Sequence, residues 1–314
     1  MLTFLGDVAL LEGSRGSEYK PNTPYIFNCE YVIGGSDLRP VPGKINLKST
    51  VSDFELMFGE NPIAVSISNN HINDFGSHGA QITNEHLMDK GIQIIGPEPI
   101  RLGNANLMAF MDLNTKNPED ERFLFTKDKV LLQIDKLKKN ESKIIVLMHW
   151  GIENDPNPTA RQRDVGHWLI DNGVDLVIGH HPHCIQTVEK YNGKYIFYSL
   201  GNGYFPSFNQ ESHFTALGQP TRKYRFNWCK WNRFSYAVTI DDDARIDSVR
   251  ELYQNRNNIL CEYRIVEENE LINKRDLPRV VYNIRKYLLF LKSNCFVDGK
   301  IIDFKAIKAE ISNV

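Results

Sequence analysis

Leu176-Val177-Ile178-Gly179-His180-His181-Pro182-His183-Cys184 joins a short apolar run to three histidines. A run of this length and composition reads as a buried strand. Polar side chains placed at once after such a strand gain nothing from core packing. In open α/β sheets the crevice outside the carboxyl ends of the strands is the usual ligand site. Histidine is the commonest metal ligand and titrates near neutral pH. The stretch therefore predicts a metal site at the end of a buried strand, with its remaining ligands placed after other strands.

Four more segments have the same form. Leu2-Thr3-Phe4-Leu5 ends at Gly6-Asp7, and Tyr25-Ile26-Phe27 ends at Asn28-Cys29-Glu30. Ile63-Ala64-Val65-Ser66-Ile67 ends at Ser68-Asn69-Asn70-His71, and Ile144-Ile145-Val146-Leu147-Met148 ends at His149-Trp150-Gly151-Ile152-Glu153. If these strands neighbour one another in a parallel or mixed sheet, two carboxylates, an amide oxygen and several imidazoles converge on one edge. Further strands are expected at Ile92–Ile95, Leu107–Asp112 and Tyr195–Tyr198. Helices are expected near Val51–Phe58, Ala80–Lys90, Lys127–Lys138 and Thr159–Asp171, the last stopped by Asn172-Gly173. Strands alternating with helices predict an α/β layered architecture.

Beyond about Gly203 the alternation fades. Residues 204–233 are aromatic and polar without clean periodicity. A strand at Tyr236–Ile240, an Asp241-Asp242-Asp243 turn and a return strand near Arg245–Arg250 follow, then a helix from Pro278 to about Leu291 with an apolar stripe. The expected organisation is one domain over residues 1–250 and a helical extension over 251–314 packed on it.

The chain has 314 residues, enough for a large core, and a formal net charge of −2, which argues against a nucleic-acid binder. Its five cysteines are scattered without a CxxC pair, as reduced thiols would be. Met1 runs directly into Leu2-Thr3-Phe4-Leu5 without a basic leader, and no stretch is apolar for long enough to span a bilayer. These features give a cytoplasmic expectation with no intrinsic membrane segment.

A mixed set of oxygen and nitrogen donors suits Mn²⁺, Fe²⁺ or Zn²⁺ better than Ca²⁺ or Mg²⁺. Two-metal hydrolytic sites need about this many ligands, one carboxylate bridging ions roughly 3.5–4 Å apart. Taken singly, each residue has a plainer role: a turn for Asp7, an Asx-turn for Asn70, a core position for His71, stacking on Trp150 for His149. Their joint occurrence favours the site. His181 and His183, two imidazoles around a proline, have little structural rationale. His180 fits ligation and support of a ligand equally well. His78, His86, His167 and His213 read as surface or packing residues, and Arg161 and Arg163 as a solvated helix start.

In this order, Gly6-Asp7, Asn28-Cys29-Glu30, Ser68-Asn69-Asn70-His71-Ile72-Asn73-Asp74-Phe75-Gly76, His149-Trp150-Gly151-Ile152-Glu153, Gly179-His180-His181-Pro182-His183 and Ser199-Leu200-Gly201-Asn202 resemble the CapA family of capsule and poly-γ-glutamate synthesis proteins. That family is in turn similar to the calcineurin-like metallophosphoesterases. The resemblance covers roughly residues 1–203 and implies an α-β-β-α fold, a layered β-sandwich flanked by helices. It implies one or two divalent ions held by Asp7, Glu30 as the bridging carboxylate, Asn70, His149, His181 and His183. It also implies His71 facing the scissile group, and Glu153 orienting His149 or a substrate.

The resemblance has one gap. The phosphoesterase pattern has a histidine two residues after the first aspartate, and here that position is Ala9. The implied function is a metal-dependent hydrolase of phosphoester or amide bonds. It would act on an anionic polymer or its precursor during synthesis of a capsule, poly-γ-glutamate or another surface polymer, in association with a biosynthetic complex. Two alternatives fit the same residues. One is a ligase or transferase of polymer assembly, which without a P-loop would draw ATP chemistry from another subunit. The other is a non-catalytic assembly protein with a degenerate metal site, which Ala9 favours.

Overall fold

The computed structural model describes residues 1–50, 52–113, 118–137, 142–273 and 276. In chain order the main elements are β1 (Leu2–Val8), β2 (Tyr25–Cys29), α1 (Phe54–Phe58), β3 (Ala64–Ser66), α2 (Gly76–Asp89), β4 (Gln93–Ile95), β5 (Ala105–Asp112), α3 (Lys127–Leu137) and β6 (Lys143–Trp150). There follow α4 (Ala160–Asp171), β7 (Leu176–His180), β8 (Lys194–Phe197), β9 (Asn202–Tyr204), β10 (Phe208–Phe214), β11 (Pro220–Phe226), β12 (Phe234–Ile240), β13 (Ile246–Gln254) and β14 (Ile259–Ile265).

Apart from β10 and β11, which pair only with each other, these strands form two sheets. The first runs β14-β13-β12-β1-β2-β3-β4, with β9 also paired to β1 and Gly16–Ser17 beyond β14. The second runs β8-β7-β6-β5 between the short edge strands Val188–Tyr191 and Ile100–Leu102. Pairing along β1-β2-β3-β4 and along β5-β6-β7-β8 is parallel. In β6 every residue after Lys143 is buried, as a parallel strand covered on both faces requires.

Alternation of side chains sorts the core into layers. Phe4, Ile26 and Val238 of the first sheet meet Leu107, Leu147 and Ile178 of the second in one apolar cluster. Phe27 and Val65 point the other way, onto Phe54, Phe58, Ala80 and Leu87 of α1 and α2. Met108, Val146 and Val177 point outward from the second sheet onto Val130 and Ile134 of α3 and Val165 and Leu169 of α4. The architecture is thus α-β-β-α, as the resemblance implies.

Local sequence explains the helix limits. Thr159 and Gln162 close a capping box at the start of α4, the Thr159 hydroxyl accepting from Gln162 N–H at 3.1 Å and Gln162 Oε1 accepting from Thr159 N–H at 2.9 Å. Gly173, at φ +103°, ends it where expected. Helix α2 begins a turn before the expected Ala80. Gly76 and Gly79, both poor helix formers, mask that first turn, yet a Cβ on Gly79 would lie 2.8 Å from Phe75 Cβ.

Residues 204–233, read as aperiodic, contain the antiparallel hairpin β10–β11, closed by Phe208 stacked on Phe226. Its alternation is obscured because packing aromatics gather at its base. Strand β13 runs on to Gln254, so the boundary expected at residue 250 falls inside it, and β14 continues the first sheet to Ile265. The chain divides into Met1–Asp276 and Leu277–Val314. The helix expected from Pro278 lies outside the described residues. Among the described residues no helix is long and apolar enough to cross a membrane.

Candidate metal centre

The converging strand ends come from both sheets, not from one edge. Asp7 lies within β1, paired in register with Asn28 of β2 and Asn202 of β9, while Glu30 follows β2 directly. His149 of β6 pairs with His180 of β7 across the second sheet, so their side chains share a face. Asp7, His149 and His180 are therefore ladder residues near the ends of their strands and not the first residues after them. Close approach depends on glycine: a Cβ on Gly6 would stand 1.8 Å from Gly201 O, and one on Gly179 2.0 Å from Tyr198 O. His181 and His183 adopt φ values of 93° and 54°. Left-handed backbone at a non-glycine residue costs on the order of 1–3 kcal/mol and clusters at functional sites.

Glu30 is the hub. It is completely buried, and neither carboxylate oxygen has a hydrogen-bond partner among the described residues. Its Oε1 faces three imidazoles, at 3.6 Å from His183 Nε2, 3.7 Å from His149 Nε2 and 4.0 Å from His71 Nε2. Asp7, also completely buried, accepts from Asn28 Nδ2 at 2.9 Å and from the His181 N–H at 3.0 Å. Three donor groups result, each with its ligand atoms within 4.8 Å of one another: Glu30, His149 and His181; Asp7, Glu30 and His183; and Glu153, His181 and His183. Glu30 belongs to two of them. Asn70 joins through its Oδ1, 2.7 Å from His149 Nε2.

Charge in the cluster follows from burial. Burial raises the Glu30 carboxyl well above the ordinary range, and Asp7, Glu153 and Asp74 push it the same way. Burial also pushes Asp7 up, but His180, His183 and Asn28 outweigh it and hold that carboxyl low. Burial and the neighbouring imidazoles hold His149 far below its usual value, and burial brings His181 down to about 4 although Glu153 opposes it. Exposed Glu153 is lowered, burial among protein atoms being outweighed by His181, His183 and His71. Neutral imidazoles are the form a divalent cation needs, and the cation's charge would supply what the Glu30 carboxyl lacks and favour its ionised form.

The residues fit such an ion on this observation: a fully buried, unbonded carboxylate among imidazole nitrogens at 3.6–4.0 Å, too far for hydrogen bonds. His183 is fixed with its Nε2 toward Glu30, because its Nδ1 donates to Asn202 Oδ1 at 3.0 Å. Asn202 in turn donates to Asn232 O, and Asn232 donates to His183 O. Such outer partners set tautomer and ring orientation.

Sequence reasoning missed the groups behind His71. Its Nδ1 donates to Asp74 Oδ2 at 2.7 Å, which turns Nε2 toward Glu30. Asp74 is completely buried, accepts from Leu47 N–H at 2.5 Å and pairs through Oδ1 with Lys44 Nζ at 2.5 Å. The i,i+3 spacing of His71 and Asp74 was the available signal. Arg161 forks onto Asp112 and Arg163 onto Asp276. His86 and His167 bond to Ser52 and Glu189.

The family model described as bacterial capsule synthesis protein PGA_cap matches residues 20–112 and 103–207. The PGA biosynthesis protein CapA of Bacillus subtilis is 27% identical over 207 residues, covering 57% of this chain and 54% of that protein. The capsule biosynthesis protein CapA of Bacillus anthracis is 27% identical over 244 residues, covering 65% of this chain and 59% of its own length. The chain thus spans little more than half the length of these relatives. Among solved structures, a phosphatase from Mycoplasma pneumoniae aligns at a TM-score of 0.44 and 11% identity, over 87% of this chain and 96% of that one.

Proposed function

The chain belongs to the PGA_cap family of bacterial capsule synthesis proteins, and from that premise we propose that it is a metal-dependent hydrolase of phosphoester or amide bonds. The buried, unpaired Glu30 carboxylate supports this reading most directly. In it, Asp7, Glu30, Asn70, His149, His181 and His183 hold one or two ions of Mn²⁺, Fe²⁺ or Zn²⁺, with Glu30 shared between two donor groups. A bound divalent ion supplies Lewis acidity toward a phosphoryl or carbonyl oxygen.

The protein's own groups do the rest. With Nδ1 donating to Asp74, His71 acts as general acid in its imidazolium form and delivers the Nε2 proton to the leaving atom. Asp74, anchored by Lys44 and Leu47, keeps the remaining proton on Nδ1. Glu153 lies within reach of His181 and His183 on the accessible side, where it orients substrate. The substrate is an anionic polymer of the capsule or poly-γ-glutamate kind, or its precursor, and the protein works with a biosynthetic complex. This assignment draws on what the relatives are named for.

The test is turnover of a panel of phosphodiesters and amides by Mn²⁺-loaded protein. Turnover that falls about 100-fold or more in His181→Ala and Glu30→Gln supports the reading; turnover unchanged in both sinks it. Ala9, fully buried where the phosphoesterase pattern has a ligand, favours a second reading, a non-catalytic assembly protein. Near-zero Mn, Fe and Zn content after metal-supplemented expression would select it.

A further inference from the structure

The third donor group, Glu153 with His181 and His183, differs from the other two in where it lies. Glu153 is exposed, His181 and His183 are 6% and 5% exposed, and Asp7 and Glu30 are completely buried. Exposure thus falls along one connected set of donors, from solvent inward to Glu30. A hydrated ion arriving from solvent meets Glu153 before it can touch either buried carboxylate.

Glu153 is also held in place. Asn154, at φ 62°, donates its N–H to Pro182 O at 2.8 Å, between the two histidines. Its Oδ1 accepts from Asn232 Nδ2 at 2.9 Å, and Asn232 Nδ2 also donates to His183 O at 2.9 Å. The loop that carries Glu153 is therefore bracketed to the backbone that carries its two partners. The three groups cannot all be filled at once. With Nδ1 bonded to Asn202 Oδ1, His183 has one free nitrogen, whose lone pair serves one ion. Both the Asp7, Glu30, His183 group and the Glu153, His181, His183 group need it. The outer group is thus an alternative to an inner one, not an addition to it.

Resting on the metal reading above, we propose that Glu153, His181 and His183 form the entry site through which a divalent cation reaches the buried centre. The exposed Glu153 carboxylate takes the hydrated cation first, and Glu30 then replaces Glu153 while His181 or His183 keeps its hold. Each inner group retains one of the two histidines, His181 with Glu30 and His149, His183 with Asp7 and Glu30. No step leaves the cation without a protein ligand, and once the centre is filled Glu153 is free to face substrate.

The test follows Mn²⁺ uptake by the full, metal-stripped chain, with stopped-flow tryptophan fluorescence for the rates and calorimetry for the affinity. Trp228, its ring 5.1 Å from that of His183, supplies the signal. A ligand used only in transit lies on the path in and the path out, so it changes both rates together. Glu153→Gln is expected to slow association and dissociation about tenfold each and to leave affinity within about threefold of wild type. Glu153→Asp, which keeps the charge, is expected to hold its rates within about threefold of wild type. An association rate unchanged in Glu153→Gln overturns the proposal and leaves the metal reading standing. So does an affinity that falls about tenfold or more, which would make Glu153 a permanent ligand. A wild type that binds no Mn²⁺ overturns both.

Discussion

Glu30, directly after β2 of the first sheet, and Glu189, on the edge strand Val188–Tyr191 of the second, are both glutamates set against histidines, yet their situations are opposite. Glu189 accepts from His167 at 2.9 Å and from the Tyr198 hydroxyl at 2.6 Å, and Arg163 lies 3.5 Å away. Burial pushes its carboxyl up, and these partners together outweigh that and hold it low. Glu30 is more deeply buried, has no hydrogen-bond donor among the described residues and lies near three other carboxylates, Asp7, Glu153 and Asp74. One cluster is neutralised from within the chain. The other is short of positive charge, and the difference marks where an external cation belongs.

Sharp tests of this contrast alter one glutamate at a time. Glu30→Gln should abolish retention of both ions at micromolar free metal, while Glu189→Gln leaves the metal content of the purified protein unchanged. Equal metal content in the two variants would erase the distinction. Asp74→Asn replaces the carboxylate that stabilises the His71 imidazolium with a neutral amide and should lower kcat about 100-fold on any substrate the wild type turns over, with metal stoichiometry intact.

Within the Glu30 cluster the response to pH runs in two directions. His181 titrates near 4 when folded and near 6.5 when unfolded, so the unfolded chain binds protons first as pH falls. Its contribution to stability is complete above 6.5 and disappears between 6.5 and about 4, on the order of 3 kcal/mol in chelated protein. Glu30 has the reverse sign, since its raised carboxyl favours the folded state at low pH and that gain is lost as pH rises through its folded value. Thermal melts of chelated protein should therefore show an acid-side loss that His181→Asn flattens. The smallest expected effect is on stability in Glu189→Gln, about 1 kcal/mol by denaturant titration, because that network is partly solvent-exposed.

The strands that carry the site were legible because β1, β2, β3, β6 and β7 are apolar runs that stop at clustered polar residues. The hairpin β10–β11 was not, since its aromatics pack at one end and do not alternate along a buried face. The early start of α2 was hidden by two glycines, Gly79, whose small size is needed against Phe75 and Val32, and Gly76, which adopts a φ of +68°. Asp74 carries no mark of its role in the sequence beyond standing three residues after His71. Only the folded chain shows it holding His71 on one oxygen and Lys44 on the other.

By itself the sequence determined the kinds of donor, their order and their place at strand ends, because a buried strand limits where a polar side chain can sit. The tertiary structure decided which donors meet. Asp7 and Glu30 come from one sheet, His149, His180, His181 and His183 from the other, and no spacing along the chain encodes the packing that brings them together. It also decided that Glu30 lacks a countercharge, because whether a carboxylate is paired depends on every group the fold places around it, including those far away in sequence.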